Sequence, residues 1–109
     1  MNFIAKKTSN LKGEVVCPGD KSISQRILMI GSLLDQDIEI TGFLNALDPL
    51  STLNALSSVG VKIKNDNTKI KIFNKTNFIS PKKDINLGNS GTGMRLMMGF
   101  ISGLSIDAN

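Results

Sequence analysis

The sequence has 109 residues, enough for at most one domain, and its 40% hydrophobic and 20% charged residues indicate a globular chain. The net charge of +4 suits acidic ligands, but the aromatic residues are five Phe alone, which argues against a single-strand nucleic-acid binder. Histidine is absent, which excludes Ser-His-Asp triads and most zinc sites. Neither a signal peptide nor a membrane span is predicted, and the single cysteine, Cys17, indicates a reducing, cytoplasmic compartment. Because it ends an apolar strand pattern, Cys17 is interpreted as a small core residue.

The first third of the chain predicts two strands and a helix. Residues 3–7 and 11–17 are short strand candidates, and a helix is expected from about Ser22 to Leu34. The S-x-x-Q pattern of a capping box places Ser22 at the N-cap of this helix, with Asp20 as the rival cap.

The middle of the chain predicts a strand, a helix and a hairpin. Residues 38–41 alternate like a strand. Asp48 and the proline after it predict a helix start, so Asp48 is interpreted as an N-cap with no further role, and Gly60 as the helix stop. Residues 61–64 and 68–72 alternate with period two around a turn, which predicts a hairpin whose lysines face solvent.

The last third predicts a loop, a short strand, a Gly-rich turn and a helix. Residues 74–83 are polar and form the loop, 84–87 the strand, and 88–95 the turn that opens the helix. A further strand begins at 105–107. The order β-β-α-β-α-β-β-(β)-α predicts an α/β (α+β) fold. Because the pattern stops midway, we expect residues 1–109 to be the front part of a longer polypeptide.

Residues 18–26, Pro-Gly-Asp-Lys-Ser-Ile-Ser-Gln-Arg, form the first of two corners that carry chemistry. They run from an apolar segment into a helix, and the first turn carries Lys21, Arg26 and the hydroxyls of Ser22 and Ser24. Free N–H groups and the helix dipole favour an anion there. Lysine adds a point charge and arginine a forked pair of donors, so an oxyanion site is predicted.

The second corner, residues 88–95, repeats the first, because a Gly and an Arg lie seven positions apart in both. It is not a P-loop, since Met-Arg stands where Lys-Ser/Thr is required, and it lacks the third glycine of a dinucleotide fingerprint. A Gly-rich turn with a surface arginine is the structural alternative. Because the first corner is also present, we favour an anion site at the second corner, built from backbone N–H groups and three side chains: Asn89, Thr92 and Arg95.

The two corners, in this order and at this separation, resemble the EPSP synthase (3-phosphoshikimate 1-carboxyvinyltransferase) family. The similarity rests on residues 18–26 and 87–96 and extends through 41–61, so it covers nearly the whole chain. The resemblance implies repeated βαβαββ units of an inside-out α/β barrel, of which this chain is a fragment of one domain. The expected parts are leading strands at about 1–20, a first unit at about 21–85 and the start of the next at about 86–109.

The resemblance implies transfer of the enolpyruvyl group of phosphoenolpyruvate to the 5-hydroxyl of shikimate 3-phosphate, with release of phosphate, on the way to chorismate and the aromatic amino acids. It implies addition and elimination through a tetrahedral intermediate, with no metal or organic cofactor. Lys21 would be catalytic and contact both substrates, while Ser22 and Arg26 would hold shikimate 3-phosphate. Gly91 would leave room for phosphoenolpyruvate. Asn89, Thr92 and Arg95 are assigned to the same phosphoenolpyruvate corner.

Two departures from the family and two alternatives accompany this reading. The family usually shows His where Gln25 stands, and we interpret Gln25 as a tolerated replacement that can complete the capping box. Family enzymes are several times longer, so residues 1–109 alone should not catalyse without the rest of the polypeptide. Lys21-Ser22 argues against UDP-N-acetylglucosamine enolpyruvyltransferase, which typically has Lys-Asn. The alternative from another class is a non-catalytic fragment or relic that binds phosphorylated metabolites.

Overall fold

The structure, a computed structural model, describes residues 1–7, 9–73 and 77–109. The elements follow in the order α1 (Lys21–Ser32), β1 (Ile38–Thr41), α2 (Leu47–Ser58), β2 (Ile63–Asp66), β3 (Lys69–Ile72) and α3 (Gly91–Ser102). This mixture of helices and strands confirms the predicted α/β class. Within the described ranges, none of the helices has both the length and the apolar character that crossing a membrane requires.

The three strands form one antiparallel sheet in the order β1-β3-β2. In the central strand β3, Ile70 and Ile72 are buried, each only 1% exposed, and they alternate with Lys69 and Lys71 on the opposite face. β2 and β3 are joined by a tight turn in which Asn67 takes a left-handed φ of 55°, a conformation that Asn tolerates better than most residues. The predicted hairpin is therefore confirmed.

The hydrophobic core lies between the helices and the sheet. Gly31 lets α1 approach β3 closely, because a Cβ at this position would lie 2.9 Å from Cδ1 of Ile72. Leu56 and Val59 of the α2 region are completely buried. The buried apolar residues of the core are Leu28, Met29, Phe43, Leu53, Ala55, Leu56, Val59, Val61, Ile70, Ile72, Leu87 and Met97.

The start of α1 differs from the predicted start. Asp20, the rival candidate, is the N-cap, and its Oδ1 accepts a hydrogen bond from the backbone N–H of Ile23 at 2.7 Å. The assignment of Ser22 as N-cap is wrong, because Ser22 already lies inside the helix. The carboxylate also lies at the positive end of the helix dipole, which adds to its advantage as a cap.

The start of α2 also differs. The helix begins at Leu47, and its N-cap, Ala46, makes no side-chain capping bond. The prediction that Asp48 is the N-cap is therefore wrong; Asp48 lies in the first turn, where the helix dipole favours a carboxylate. Gly60 ends the helix as predicted, with a φ of 101° and an N–H that donates to the carbonyl oxygen of Ser57 at 3.2 Å.

The two predicted N-terminal strands are absent. Residues 3–7 and 11–17 carry no strand, and their side chains are exposed. Strand formation needs a neighbour for the backbone N–H and C=O groups, and these segments have no partner strand in the described part of the chain. The interpretation of Cys17 as a core residue is wrong for the same reason, because Cys17 is exposed.

The predicted strands near the C-terminus are also not formed. Residues 84–87 and 105–107 are irregular, although the N–H of Ile85 donates to the carbonyl oxygen of Asn109 at 2.7 Å. Of the predicted loop 74–83, residues 74–76 lie outside the described residues, and the remainder forms neither helix nor strand.

Candidate anion-binding site

The N-terminal part of α1 presents the cations that the sequence predicted, with Lys21 in the first turn and Arg26 in the second rather than in the first. Lys21 and Arg26 are exposed, and Ser22, which lies between them in the sequence, is half-buried. One guanidinium nitrogen of Arg26, Nη1, donates to the carbonyl oxygen of Ser22 at 3.1 Å. Because arginine has five N–H donors, the guanidinium keeps donors for a ligand. This end of the helix therefore combines two exposed cations with the free N–H groups of a helix start.

The segment before α1 is held by close backbone contacts. A Cβ at Gly19 would lie 2.0 Å from the carbonyl oxygen of Gly42, so any other residue would force the two segments apart. Ser24 is buried, and its Oγ accepts a hydrogen bond from the N–H of Leu44 at 3.1 Å. Ser24 therefore fixes the corner from within rather than presenting a hydroxyl to solvent.

Lys21 has a partner that the sequence reading missed. Its Nζ lies 3.0 Å from Oδ2 of Asp48, and the two side chains are 51% and 28% exposed. An exposed ion pair of this kind contributes only about 0–1 kcal/mol. The pair therefore holds Lys21 at the corner while leaving its ammonium available to an incoming anion.

The second corner opens α3. Ser90 is the N-cap, and its Oγ accepts a hydrogen bond from the N–H of Gly93 at 3.0 Å. Beyond the cap, Gly91 and Arg95 are exposed and Thr92 is half-buried. A Cβ at Gly91 would meet only Nη1 of Arg95 at 3.5 Å, an ordinary contact. The packing of the chain therefore does not itself require glycine at this position.

Gln25 joins the N-terminal parts of the three described helices. It is completely buried, and its Nε2 lies 2.9 Å from Oγ of Ser90, 3.0 Å from Oγ1 of Thr52 and 3.4 Å from the carbonyl oxygen of Asp48. The interpretation of Gln25 as part of a capping box is wrong, because its amide points into the protein. Its Oε1 is buried without a hydrogen-bond partner among the described residues, which costs about 1–3 kcal/mol.

These contacts bring the two predicted corners together. Lys21, Ser22 and Arg26 lie at the start of α1, and Asn89, Gly91, Thr92 and Arg95 lie at the start of α3. The hydrogen bond between Gln25 and Ser90 spans 65 positions of sequence and places these helix starts side by side. Sequence reasoning missed Asp48 as a member of this region and missed the bridge that Gln25 makes to Ser90, because the partners are distant in the chain.

The fold and the paired helix starts define an α/β protein with a composite candidate site for anions. Residues 5–108 match the sequence profile of the family described as EPSP synthase (3-phosphoshikimate 1-carboxyvinyltransferase). The match covers nearly the whole chain. The chain belongs to the EPSP synthase family.

Individual relatives agree with this assignment. The chain is 49% identical over 105 residues to the 3-phosphoshikimate 1-carboxyvinyltransferase of Petrotoga mobilis, covering 94% of this chain and 24% of that protein. It is 46% identical over 106 residues to the one from Thermodesulfovibrio yellowstonii, covering 94% and 25%. The solved EPSP synthase of Acinetobacter baumannii superposes with a TM-score of 0.76 at 36% identity, over 83% of this chain and 21% of that one. The chain thus spans about a quarter of the length of the curated relatives it matches.

Proposed function

We propose that this chain contributes part of the active site of a cytoplasmic enzyme that makes EPSP. The reaction transfers the enolpyruvyl group of phosphoenolpyruvate to the 5-hydroxyl of shikimate 3-phosphate and releases phosphate. Family membership supports the reaction class, and the two anion corners support the chemistry of its substrates, which both carry a phosphate and a carboxylate. In this proposal, α1 to β3 belong to the first βαβαββ-type unit and α3 to the start of the next.

The α1 corner is the proposed site for shikimate 3-phosphate. Ser22 and Arg26 would donate hydrogen bonds to its phosphate, and the free N–H groups of the helix start would add to the attraction. The contact between Arg26 and the carbonyl oxygen of Ser22, 3.1 Å long, keeps the guanidinium beside this corner. Two donors of different shape on one helical turn favour a phosphate with one defined orientation.

The α3 corner is the proposed site for phosphoenolpyruvate. Gly91 would lie against this substrate, and the absence of any close neighbour at its Cβ position other than Arg95 supports a role in making room for a ligand. Asn89, Thr92 and Arg95 would supply donors around it. This corner uses backbone N–H groups and short side chains, so it suits a small anion held close to the main chain.

Lys21 is the proposed catalytic residue of this chain. Its ammonium would lie between the two substrates, where it could stabilise developing negative charge or move a proton during addition and elimination. In the structure it is paired with Asp48 at 3.0 Å. Binding of the substrate anions would replace or share this partner, and the pair would hold Lys21 at the corner before the substrates arrive.

The observation that carries the proposal is the hydrogen bond from Gln25 to Ser90. It joins the two helix starts through a buried contact, as a site for two adjacent anions requires. A single helix N-terminus with a lysine would support only a generic anion site. Two joined corners, each with an arginine in the family's motif, support a site for two phosphorylated substrates.

Calorimetric titration with shikimate 3-phosphate tests the α1 corner. We expect binding by the complete polypeptide that its gene encodes, and its loss in the double variant Lys21→Ala, Arg26→Ala. The control is Lys82→Ala, Lys83→Ala, which removes two exposed charges outside the site and should leave binding unchanged. Full binding by the Lys21 and Arg26 variant would overturn the assignment.

Phosphate release tests the reaction. With phosphoenolpyruvate and shikimate 3-phosphate together, the complete polypeptide should release phosphate, whereas purified residues 1–109 should not. Binding of shikimate 3-phosphate without turnover by the complete polypeptide would favour the non-catalytic phosphometabolite-binding alternative. Turnover with UDP-N-acetylglucosamine as acceptor instead would favour the related enolpyruvyltransferase.

A further inference from the structure

We propose that Gln25 is a positioning residue for the phosphoenolpyruvate corner. Its amide holds Ser90, and through Ser90 it sets the place and tilt of the α3 N-terminus relative to Lys21. The inference rests on the proposed function, because it assigns the α3 corner to phosphoenolpyruvate. It goes further in assigning a role to a buried residue that touches neither substrate.

The burial and bonding of Gln25 support a role beyond filling space. The side chain is 0% exposed, and its Nε2 has hydroxyl partners on two other segments, Ser90 at 2.9 Å and Thr52 at 3.0 Å. Its Oε1 has no partner among the described residues. An apolar residue of similar length would fill the same volume without an unsatisfied acceptor, so the Nε2 bonds are the feature that an amide adds here.

Ser90 transmits the position of Gln25 to the corner. Its Oγ receives two hydrogen bonds, one from Nε2 of Gln25 and one from the N–H of Gly93 at 3.0 Å. Both lone pairs of the hydroxyl are then used, so the N-cap side chain is held in one orientation. The first turn of α3 begins at this cap, and the backbone N–H of Thr92 takes its direction from it, whereas the N–H of Gly91 donates to the carbonyl oxygen of Asn89 at 3.1 Å.

Gly93 makes the contact possible. A Cβ at this position would lie 2.8 Å from Oγ of Ser90 and 3.2 Å from Nε2 of Gln25. Glycine is therefore required at position 93, because a Cβ there would disturb the hydrogen bond between Gln25 and Ser90. This differs from residue 91, where an added Cβ would make only an ordinary contact with Nη1 of Arg95 at 3.5 Å.

The effect of Gln25 should be selective for one substrate. Lys21, Ser22 and Arg26 lie on the same helix as Gln25, and that helix is fixed independently by its cap Asp20 and by the contact of Ser24 with Leu44. The α3 corner depends on the bridge to Ser90. Loss of the amide should therefore disturb phosphoenolpyruvate binding more than shikimate 3-phosphate binding.

The test is steady-state kinetics of the Gln25→Met variant in the complete polypeptide. Methionine keeps the length and volume and removes the donors. We expect the KM for phosphoenolpyruvate to rise about tenfold, in line with the sensitivity of catalysis to small displacements, while the KM for shikimate 3-phosphate changes less than about twofold. Gln25→His should recover most of the loss, because an imidazole N–H can donate to Ser90.

Two further variants separate positioning from stability. Ser32→Ala removes a buried hydroxyl at the far end of α1 that donates to the carbonyl oxygen of Leu28 within the same helix, and it should leave both KM values unchanged. Ser90→Ala removes the bridge from its other side and should reproduce the KM split, so the test survives if Gln25→Met fails to fold. Equal rises in both KM values, or an unchanged KM for phosphoenolpyruvate, would overturn the inference.

Amide hydrogen exchange distinguishes failure of this inference from failure of the proposed function. In Gln25→Met or Ser90→Ala, exchange at the N–H of Gly93 should accelerate, while the N–H of Ile23, capped by Asp20, should stay protected. This result is independent of any substrate. If exchange at Gly93 accelerates in these variants but the wild type shows no turnover, the proposed reaction is contradicted and the Gln25–Ser90 bridge is supported. If exchange at Gly93 is unchanged in the variants, the bridge itself is contradicted.

Discussion

Lys21 and Asp48 form an ion pair across the first turns of α1 and α2, with Nζ and Oδ2 3.0 Å apart. Lys21 belongs to the first corner, residues 18–26, whereas the sequence suggested for Asp48 only the role of a helix cap. The structure shows that its carboxylate faces the candidate site. An acidic group beside an anion site lowers the affinity for the anion. Asp48 is therefore expected to have two opposing effects: it holds Lys21 in place, and it weakens binding of the anion.

Asp48→Asn should bind shikimate 3-phosphate more tightly, by about two- to fivefold, because a negative charge beside the site is removed. The free energy of unfolding should change by less than about 1 kcal/mol, since the pair is partly exposed. Titration calorimetry and urea denaturation measure the two quantities. Glu39→Gln is the matched control, because it removes one carboxylate 3.7 Å from Lys71 on the sheet and should not alter binding. Weaker binding by Asp48→Asn would contradict this account.

Asp20→Ala should lower the free energy of unfolding by about 1 kcal/mol, the usual effect of losing a side-chain N-cap. The reason is the 2.7 Å bond from the N–H of Ile23 to the Asp20 carboxylate. Ser22→Ala is the contrasting variant: it should leave stability nearly unchanged and weaken shikimate 3-phosphate binding. Urea midpoints compare the two variants, and an equal loss of stability would restore the capping-box interpretation of Ser22.

Gly93→Ala should destabilise the protein by about 1–3 kcal/mol, the range for overpacked positions. The added methyl would press on Oγ of Ser90 at 2.8 Å and on the Gln25 amide at 3.2 Å. Gly99→Ala, in the same helix, has no neighbour within 4 Å of the new Cβ and should stabilise by about 0.5–1 kcal/mol. Denaturant unfolding measures both. Opposite signs are the expected result, and matching signs would contradict the packing described here.

Gly91→Ala should leave the free energy of unfolding within about 0.5 kcal/mol of the wild type, as for surface substitutions. The methyl would meet only the flexible end of Arg95 at 3.5 Å. The KM for phosphoenolpyruvate should nevertheless rise, because the methyl would occupy space assigned to this ligand. Kinetics of the complete polypeptide check the rise. Strong destabilisation without a change in KM would show that Gly91 has a packing role instead.

The regular elements could be predicted because their side chains repeat with a clear period. The helices α1, α2 and α3, the strand β1 and the hairpin of β2 and β3 all form near the expected positions. The helix starts were less accurate. Asp20 displaced Ser22 and Ala46 displaced Asp48, because several residues near a helix start can cap it and the choice depends on the backbone path that leads in.

The false strands have a different cause. The short apolar stretches in 3–7 and 11–17 indicate segments suited to a sheet, but one segment alone cannot supply the neighbouring strand. The described chain offers none, so both segments are irregular and exposed. The role of Gln25 escaped prediction for a related reason, since it depends on Ser90, 65 positions away. The corners themselves were recognised because each is a continuous motif.

The space around Gly93 is so tight that the residues at positions 25 and 93 are expected to depend on each other. With glycine at 93, the long amide at 25 fits between Thr52 and Ser90. A shorter side chain at 25 would remove the neighbour that a methyl at 93 would meet at 3.2 Å, and it would release Oγ of Ser90, at 2.8 Å, from one of the two bonds that hold it. The pair should therefore show non-additive energetics: Gly93→Ala should be less damaging in a Gln25→Ala background than alone, as double-mutant cycles detect for residues in contact. In an alignment of homologous sequences, a larger residue at position 93 should occur together with a smaller residue at position 25.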